Sequence, residues 1–210
     1  MKKTKVVTNF QVEYDLITSK TAKRTYILLH GFYENASIIR EKILHLLPED
    51  SNILIPNACF PVAKRRPEGW KLYFSWYFYN EKTNEFYIEY DFPAGVLEKL
   101  IDQLKLNSLP ITIIGYSQGG YLSPFLAERL SSCDQVIGLG CSYKYDLLKE
   151  VDHYKIDAIH GKIDDKVDPI NAENCFNKLS TKHKGTFHML ENTGHELDQS
   201  FIKKLQELLP

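Results

Sequence analysis

The sequence predicts an α/β fold: a mostly parallel sheet with helices on both faces. Three observations carry that prediction. Short β-branched, apolar runs alternate along the chain with stretches whose apolar residues recur at helical spacing. Several of the strand-like runs, such as Thr25-Tyr26-Ile27-Leu28-Leu29 and Ile111-Thr112-Ile113-Ile114, are apolar nearly throughout, which suits strands covered on both sides. Strand-like runs also end in Gly or Pro where the chain must turn, at Gly31, Pro56 and Gly115.

Taken in order, Phe10, Val12 and Tyr14 alternate with polar residues, so residues 10–17 read as a half-buried edge strand. The run 25–30 is a buried strand. Asn35 is positioned to cap a helix over 36–47, with Ile38, Ile39, Ile43 and Leu46 on one face. Asn52-Ile53-Leu54-Ile55 is the next strand. A helix over 93–105 presents Val96, Leu97, Leu100, Ile101 and Leu104 on one side. The strand 111–114 leads through Gly115-Tyr116-Ser117-Gln118-Gly119-Gly120 into a helix reaching about 131, in which Pro124 should introduce a kink. Strands over 136–140, 156–160 and 186–190 follow, with helices over 169–180 and 197–209.

The 210 residues suffice for one domain with a substantial core, and no repeat or linker-like run divides them. Charged residues make up 25% of the chain and the net charge is −1, so no basic field points to nucleic acid or an anionic membrane. Cys59, Cys133, Cys141 and Cys175 have neither disulfide-framework nor metal spacing and read as reduced thiols of a cytoplasmic protein. The basic start, Met1 to Lys5, is followed by no apolar run of signal-peptide length, and no apolar stretch is long enough to span a bilayer.

Gly-x-Ser-x-Gly between a strand and a helix is the pattern of a nucleophile elbow, in which a tight turn presents the serine hydroxyl at the sheet's edge. A serine hydroxyl needs a base beside it, and the base needs an orienting acid. After Ser117, the order acid then histidine is met by the loop Gly161–Asp168 and by His195 in Asn192-Thr193-Gly194-His195-Glu196. Asp164 comes first after its strand and is the acid favoured. Asp168 precedes Pro169 as a helix cap would, and Asp165 reads as solvated. His30 and His160 end buried strands and read as loop braces. Backbone N–H groups must meet the oxyanion of an acyl-transfer intermediate; Gln118, following the serine, and Phe32, after His30-Gly31, supply them most simply.

Together, Leu28-Leu29-His30-Gly31-Phe32, Gly115-Tyr116-Ser117-Gln118-Gly119-Gly120, His160-Gly161 with Asp164, and Gly194-His195-Glu196 resemble the α/β-hydrolase superfamily. Within it they are most similar to the small phospholipase/carboxylesterase family, which includes acyl-protein thioesterases. The resemblance covers the chain from about residue 25 onward. It implies an α/β-hydrolase fold, a Ser117–His195–Asp164 triad, oxyanion donors at Phe32 and Gln118, and hydrolysis of a small-molecule ester or acyl substrate through an acyl-enzyme. Neither metal nor cofactor is implied. Acyl thioesterase and lysophospholipase activities would use the same residues, and a non-catalytic binding module on this fold is the alternative of another class. Family members commonly carry a second Gly soon after His-Gly, where this chain has Phe32-Tyr33-Glu34.

Residues 70–92 hold 11 of the 26 aromatics, inside an excursion over about 58–92 between a strand and a helix. Residues 70–79 alternate too poorly for a clean amphipathic strand, and Lys64-Arg65-Arg66 reads as a solvated turn. The excursion is expected as a wall over the site, with Tyr33, Trp70, Trp76 and Tyr77 as substrate-contacting candidates, or as a packed hairpin or a homodimer contact.

Overall fold

A computed structural model describes residues 10–80, 82, 83 and 85–210; the N-terminal residues 1–9, read above for targeting signals, lie outside them. In chain order its elements are β1 (Tyr14–Ile17), β2 (Arg24–Leu29), α1 (Ala36–Ile43), β3 (Ser51–Pro56), β4 (Phe60–Arg66), β5 (Gly69–Ser75), β6 (Phe78–Asn80) and β7 (Glu85–Ile88). They continue with α2 (Asp91–Gln103), β8 (Ile111–Tyr116), α3 (Gln118–Ala127), β9 (Cys133–Leu139), β10 (Lys155–Gly161), α4 (Pro169–Asn177), β11 (Lys184–Leu190) and α5 (Gln199–Leu208).

Seven strands form the main sheet in the order β1-β3-β2-β8-β9-β10-β11. Only β1 runs antiparallel, pairing Tyr14 with Pro56 and Ile17 with Ile53 at the edge. The strands alternate as their pleat requires. In β2, Ile27 and Leu29 enter one apolar core with β8 residues Ile111 and Ile113 and with Leu97, Leu122 and Phe176 from α2, α3 and α4. Tyr26 and Leu28 enter the other, with Ile39 and Ile43 of α1 and Phe201 and Leu205 of α5. Apolar runs on these strands thus reflect two buried faces, and the sheet is sandwiched by helices as expected.

The helix ends have local causes. The Asn35 side chain accepts from the Ile38 N–H, and Asp168 accepts from Ile170 and Asn171 ahead of Pro169. Asp198 likewise caps α5 by accepting from Ser200 and Phe201. The first helix is shorter than its apolar period suggests, tightening to a 3-10 turn at Leu44–Leu46. The helix after the elbow passes through Pro124 and stops at Ala127, short of 131; there the Arg129 and Leu130 N–H groups turn to carbonyls three residues back.

The excursion takes the hairpin form given as one of its expected alternatives, and it corrects the reading of its basic run. Residues 60–75 form a seven-plus-seven residue hairpin from Phe60↔Ser75 to Arg66↔Gly69, and Phe78–Asn80 pairs with Glu85–Ile88 in a second. Lys64-Arg65-Arg66 is therefore the end of a strand. The outer half of the first hairpin is exposed on both faces, so no buried face imposes an alternation that could be read.

Candidate active site

Strand order reverses at β2: β3 leaves on one side, and β8 returns on the other. Ligands of open α/β sheets bind at the carboxyl ends of such a switch. Here the loop after β2 faces the turn after β8.

That second turn is sharp. Ser117 sits at φ 48, ψ −115, outside the regions ordinary residues occupy. Its flanks must be glycine: a Cβ on Gly119 would lie 2.2 Å from the Leu29 carbonyl oxygen, and one on Gly115 would lie 2.5 Å from the Gly119 oxygen. The Ser117 N–H donates to the Leu139 carbonyl at 2.8 Å, and its carbonyl accepts from Gly120 and Tyr121, so both sides hold the strained residue.

The structure brings Ser117, His195 and Asp164 together. Ser117 Oγ lies 3.0 Å from His195 Nε2, and His195 Nδ1 lies 2.7 Å from Asp164 Oδ2. An ionised carboxylate only accepts, so Nδ1–H donates to Asp164 and Nε2 is left to accept the serine proton. The Asp164 side chain is fully buried, and its Oδ1 accepts the Lys166 and Val167 N–H groups at 2.8 and 2.9 Å. A carboxylate held by that many N–H groups keeps a fixed orientation. Buried His160 stands behind it, Nε2 3.0 Å from the Val167 carbonyl and 3.2 Å from Asp164 Oδ2. His195 is anchored through its own carbonyl, which accepts from the Tyr116 hydroxyl at 3.1 Å. Burial and the nearby carboxylates, Glu34 first among them, raise the Tyr116 pKa and keep that phenol a donor. Asp165 pairs with Lys166 at the surface and Asp168 caps α4, as read from the sequence.

The loop after β2 presents Phe32. Among the described residues, neither the Phe32 N–H nor the Gln118 N–H donates to a protein acceptor. Tyr33 adopts φ 56, a left-handed conformation that costs a non-glycine residue about 1 kcal/mol or more. The loop keeps it because Tyr33 N–H donates to the Phe74 carbonyl and Phe74 N–H returns to Glu34. Glu34 Oε2 also accepts the Gly31 N–H at 2.8 Å, and burial raises the Glu34 pKa. The buried His30 ring donates from Nδ1 to the Gly31 carbonyl and accepts the Ala58 N–H on Nε2, the brace expected of it. Burial lowers its pKa to about 4, so the ring is neutral.

A cavity of about 430 Å³ opens above Ser117, lined by Phe32, Gln118 and Tyr121, by Tyr77, Phe78, Tyr79 and Tyr90 from the excursion, and by Lys144, Lys166 and Val167. Tyr77 is where the sequence reading put it. Trp76 is not: it is fully buried, its indole N–H donating to the His30 carbonyl at 2.8 Å. Trp70 stands near the hairpin tip, 72% exposed, and Tyr33 turns toward Tyr73 and Lys64; neither lines the cavity. Sequence reasoning missed the Gln118 side chain. Its Oε1 accepts the Trp76 N–H at 2.9 Å and its Nε2 donates to the Tyr77 carbonyl at 2.9 Å, tying the excursion to the elbow. The residue type after the serine was the available signal. Lys144 and Lys166 carried no local signal.

Residues 16–210 match the phospholipase/carboxylesterase family of α/β hydrolases, and the chain belongs to that family. No sequence among curated proteins matches it significantly. Similar solved structures include esterase PE8 (19% identity, TM-score 0.73, covering 94% of this chain and 97% of that one). Another is Zea mays acyl-protein thioesterase 2 (15%, 0.73, 95% and 97%). A third is a Bacillus cereus carboxylesterase (16%, 0.72, 95% and 93%). At such identities the likeness is one of fold.

Proposed function

We propose that this chain is a serine hydrolase of carboxylic esters that works through an acyl-enzyme. The observation that carries the reading is the unbroken row from Ser117 Oγ through the His195 ring to Asp164 Oδ2, at 3.0 and 2.7 Å, on a strained elbow. Ser117 Oγ attacks the ester carbonyl while His195 Nε2 takes its proton; Asp164 stabilises the imidazolium. The carbonyl oxygen becomes an oxyanion facing the Phe32 and Gln118 N–H groups, donors of a kind worth about 3 kcal/mol each to such a transition state. His195 returns the proton to the leaving alcohol, and a water activated by the same ring releases the acid. Four free thiols, three of them buried, support a reducing compartment such as the cytoplasm for this chemistry.

A fluorophosphonate probe tests the reading. Folded wild-type protein should be labelled stoichiometrically, and Ser117→Ala, matched for circular dichroism, should not be. A folded wild type that resists the probe and cleaves no ester in a panel of acyl lengths would instead be a binding module.

A further inference from the structure

The proposed chemistry engages the cavity's floor and leaves the character of one wall unassigned. The cavity lining carries two cations, Lys144 and Lys166, and no carboxylate; Asp165, outside the lining, pairs with Lys166 at the surface. This is not the imprint of a basic chain, since 26 Lys and Arg stand against 27 Asp and Glu. We infer that this wall is an anion subsite: the ester carries a carboxylate or phosphate that Lys144 and Lys166 bind while Ser117 attacks its carbonyl. The inference rests on the serine-hydrolase reading and narrows its substrate class.

Lys144 lies in the loop beyond β9, partly buried, with its ammonium 5.6 Å from the centre of the Tyr79 ring. It has no ion pair among the described residues. A cation held against a ring face beside a reaction cavity retains unsatisfied donors that an anion can take up. Lys166 is placed more rigidly at its backbone, because its N–H donates to Asp164 Oδ1 at 2.8 Å. Its ammonium meets Asp165 in a solvent-exposed pair, the kind that contributes little and exchanges readily. The same cavity offers Tyr79 and Tyr121 beside the apolar faces of Phe32 and Phe78. An extended neutral acyl chain would desolvate the partly buried Lys144 ammonium without replacing its water; an anionic one pairs with it and with the exposed Lys166. The anion takes no part in bond making. Water adds across the scissile acyl–oxygen bond, and the charged group leaves unchanged on whichever product carries it.

The anion has two sources, the acyl part or the leaving group, and paired substrates separate them. The acyl arm compares 4-nitrophenyl hydrogen adipate with its methyl ester. The leaving-group arm compares 4-carboxyphenyl butyrate with its methyl ester. The readout is the ratio of kcat/KM for the anionic over the neutral partner, so that intrinsic reactivity cancels between wild type and Lys144→Gln/Lys166→Gln. In one arm, wild type should exceed the double variant about tenfold in this ratio, the scale of one charge-assisted hydrogen bond, and salt should erode the difference. Ratios equal in wild type and double variant in both arms overturn the subsite while leaving the hydrolase standing, since the neutral esters are still cleaved. No cleavage of any ester and no probe labelling overturns the hydrolase reading and the subsite with it.

Discussion

The seven-stranded body and the excursion over residues 58–92 are built on opposite plans. The central body strands are covered on both faces, and the three residues of the Ser117–His195–Asp164 row stand on loops at strand ends, held by main-chain hydrogen bonds. The excursion consists of two hairpins that do not join the main sheet. Its root is gripped by the Gln118 side chain, by His30 and by the Phe74 pairing with Tyr33 and Glu34. Its aromatics Tyr77 and Tyr90 meet edge to face, and Tyr90 lies flat on Phe125 of α3 at 4.3 Å between ring centres. The difference teaches where rigidity is placed. The Ser117–His195–Asp164 row stands on loops fixed by the sheet, whereas the excursion is seated at its root by Trp76, Tyr77 and Tyr90 in the core together with these polar grips, and its outer hairpin is exposed.

If those grips are the joint between the two regions, their loss should cost most at the root and least at the tip. The largest effect is expected at His30. Its folded pKa of about 4 lies below the 6.5 of an unfolded histidine. Between those values the unfolded chain binds a proton that the folded chain does not, so stability falls as pH falls through this window. The loss approaches about 3 kcal/mol by pH 4, at 1.36 kcal/mol per unit. Urea unfolding of wild type and His30→Asn at pH 7 and pH 4.5 isolates it: the wild type should lose about 2–3 kcal/mol more than the variant. Parallel pH dependence in the two proteins would show that His30 is not the buried neutral brace described.

The two regions also differ in how far they could be read from sequence. The body was legible because two buried faces leave apolar runs and glycines mark steric necessities. Gly115 and Gly119 name the elbow before any coordinates, and the loop order after it names Asp164 and His195. Boundaries slipped where the chain changes hydrogen-bond spacing, as at Leu44 and Arg129. The excursion was opaque for a physical reason. A hairpin such as 60–75, exposed on both sides over its outer half, obeys no burial period, so its strands leave no pattern. Trp76 and Trp70 are the same residue type six positions apart, yet one is sealed in the core and the other projects into solvent. Composition marked the segment as aromatic and could not apportion its rings.

Gln118 sharpens the comparison from the body's side. Gln118→Ala keeps the backbone N–H proposed to meet the oxyanion but removes both bonds to residues 76 and 77, leaving the Trp76 N–H without its acceptor. The expected cost is about 2 kcal/mol in urea unfolding, together with faster hydrogen exchange at Trp76. Slow exchange retained in the variant would mean that packing, not the amide, holds the root.

Trp70 supplies the opposite extreme and the smallest effect. It is 72% exposed on an arm whose outer residues bury almost nothing, beside Leu72 at 51%. Surface substitutions away from packed or hydrogen-bonded features change stability by about 0.5 kcal/mol or less. Trp70→Ala should therefore leave the urea midpoint within that margin, and turnover of a small neutral ester should be unchanged, because the ring lies outside the cavity. A loss above about 1 kcal/mol would exceed anything surface exposure explains. It would mean that the indole is covered in solution, by a second copy of the chain or by another partner, and that the arm's exposed face belongs to an interface. Sedimentation of the wild type beside the variant then distinguishes the two: a dimer that Trp70→Ala dissociates assigns the cover to self-association. The magnitude at this one position thus decides whether the excursion ends in solvent or in a contact, which the body's architecture leaves unconstrained.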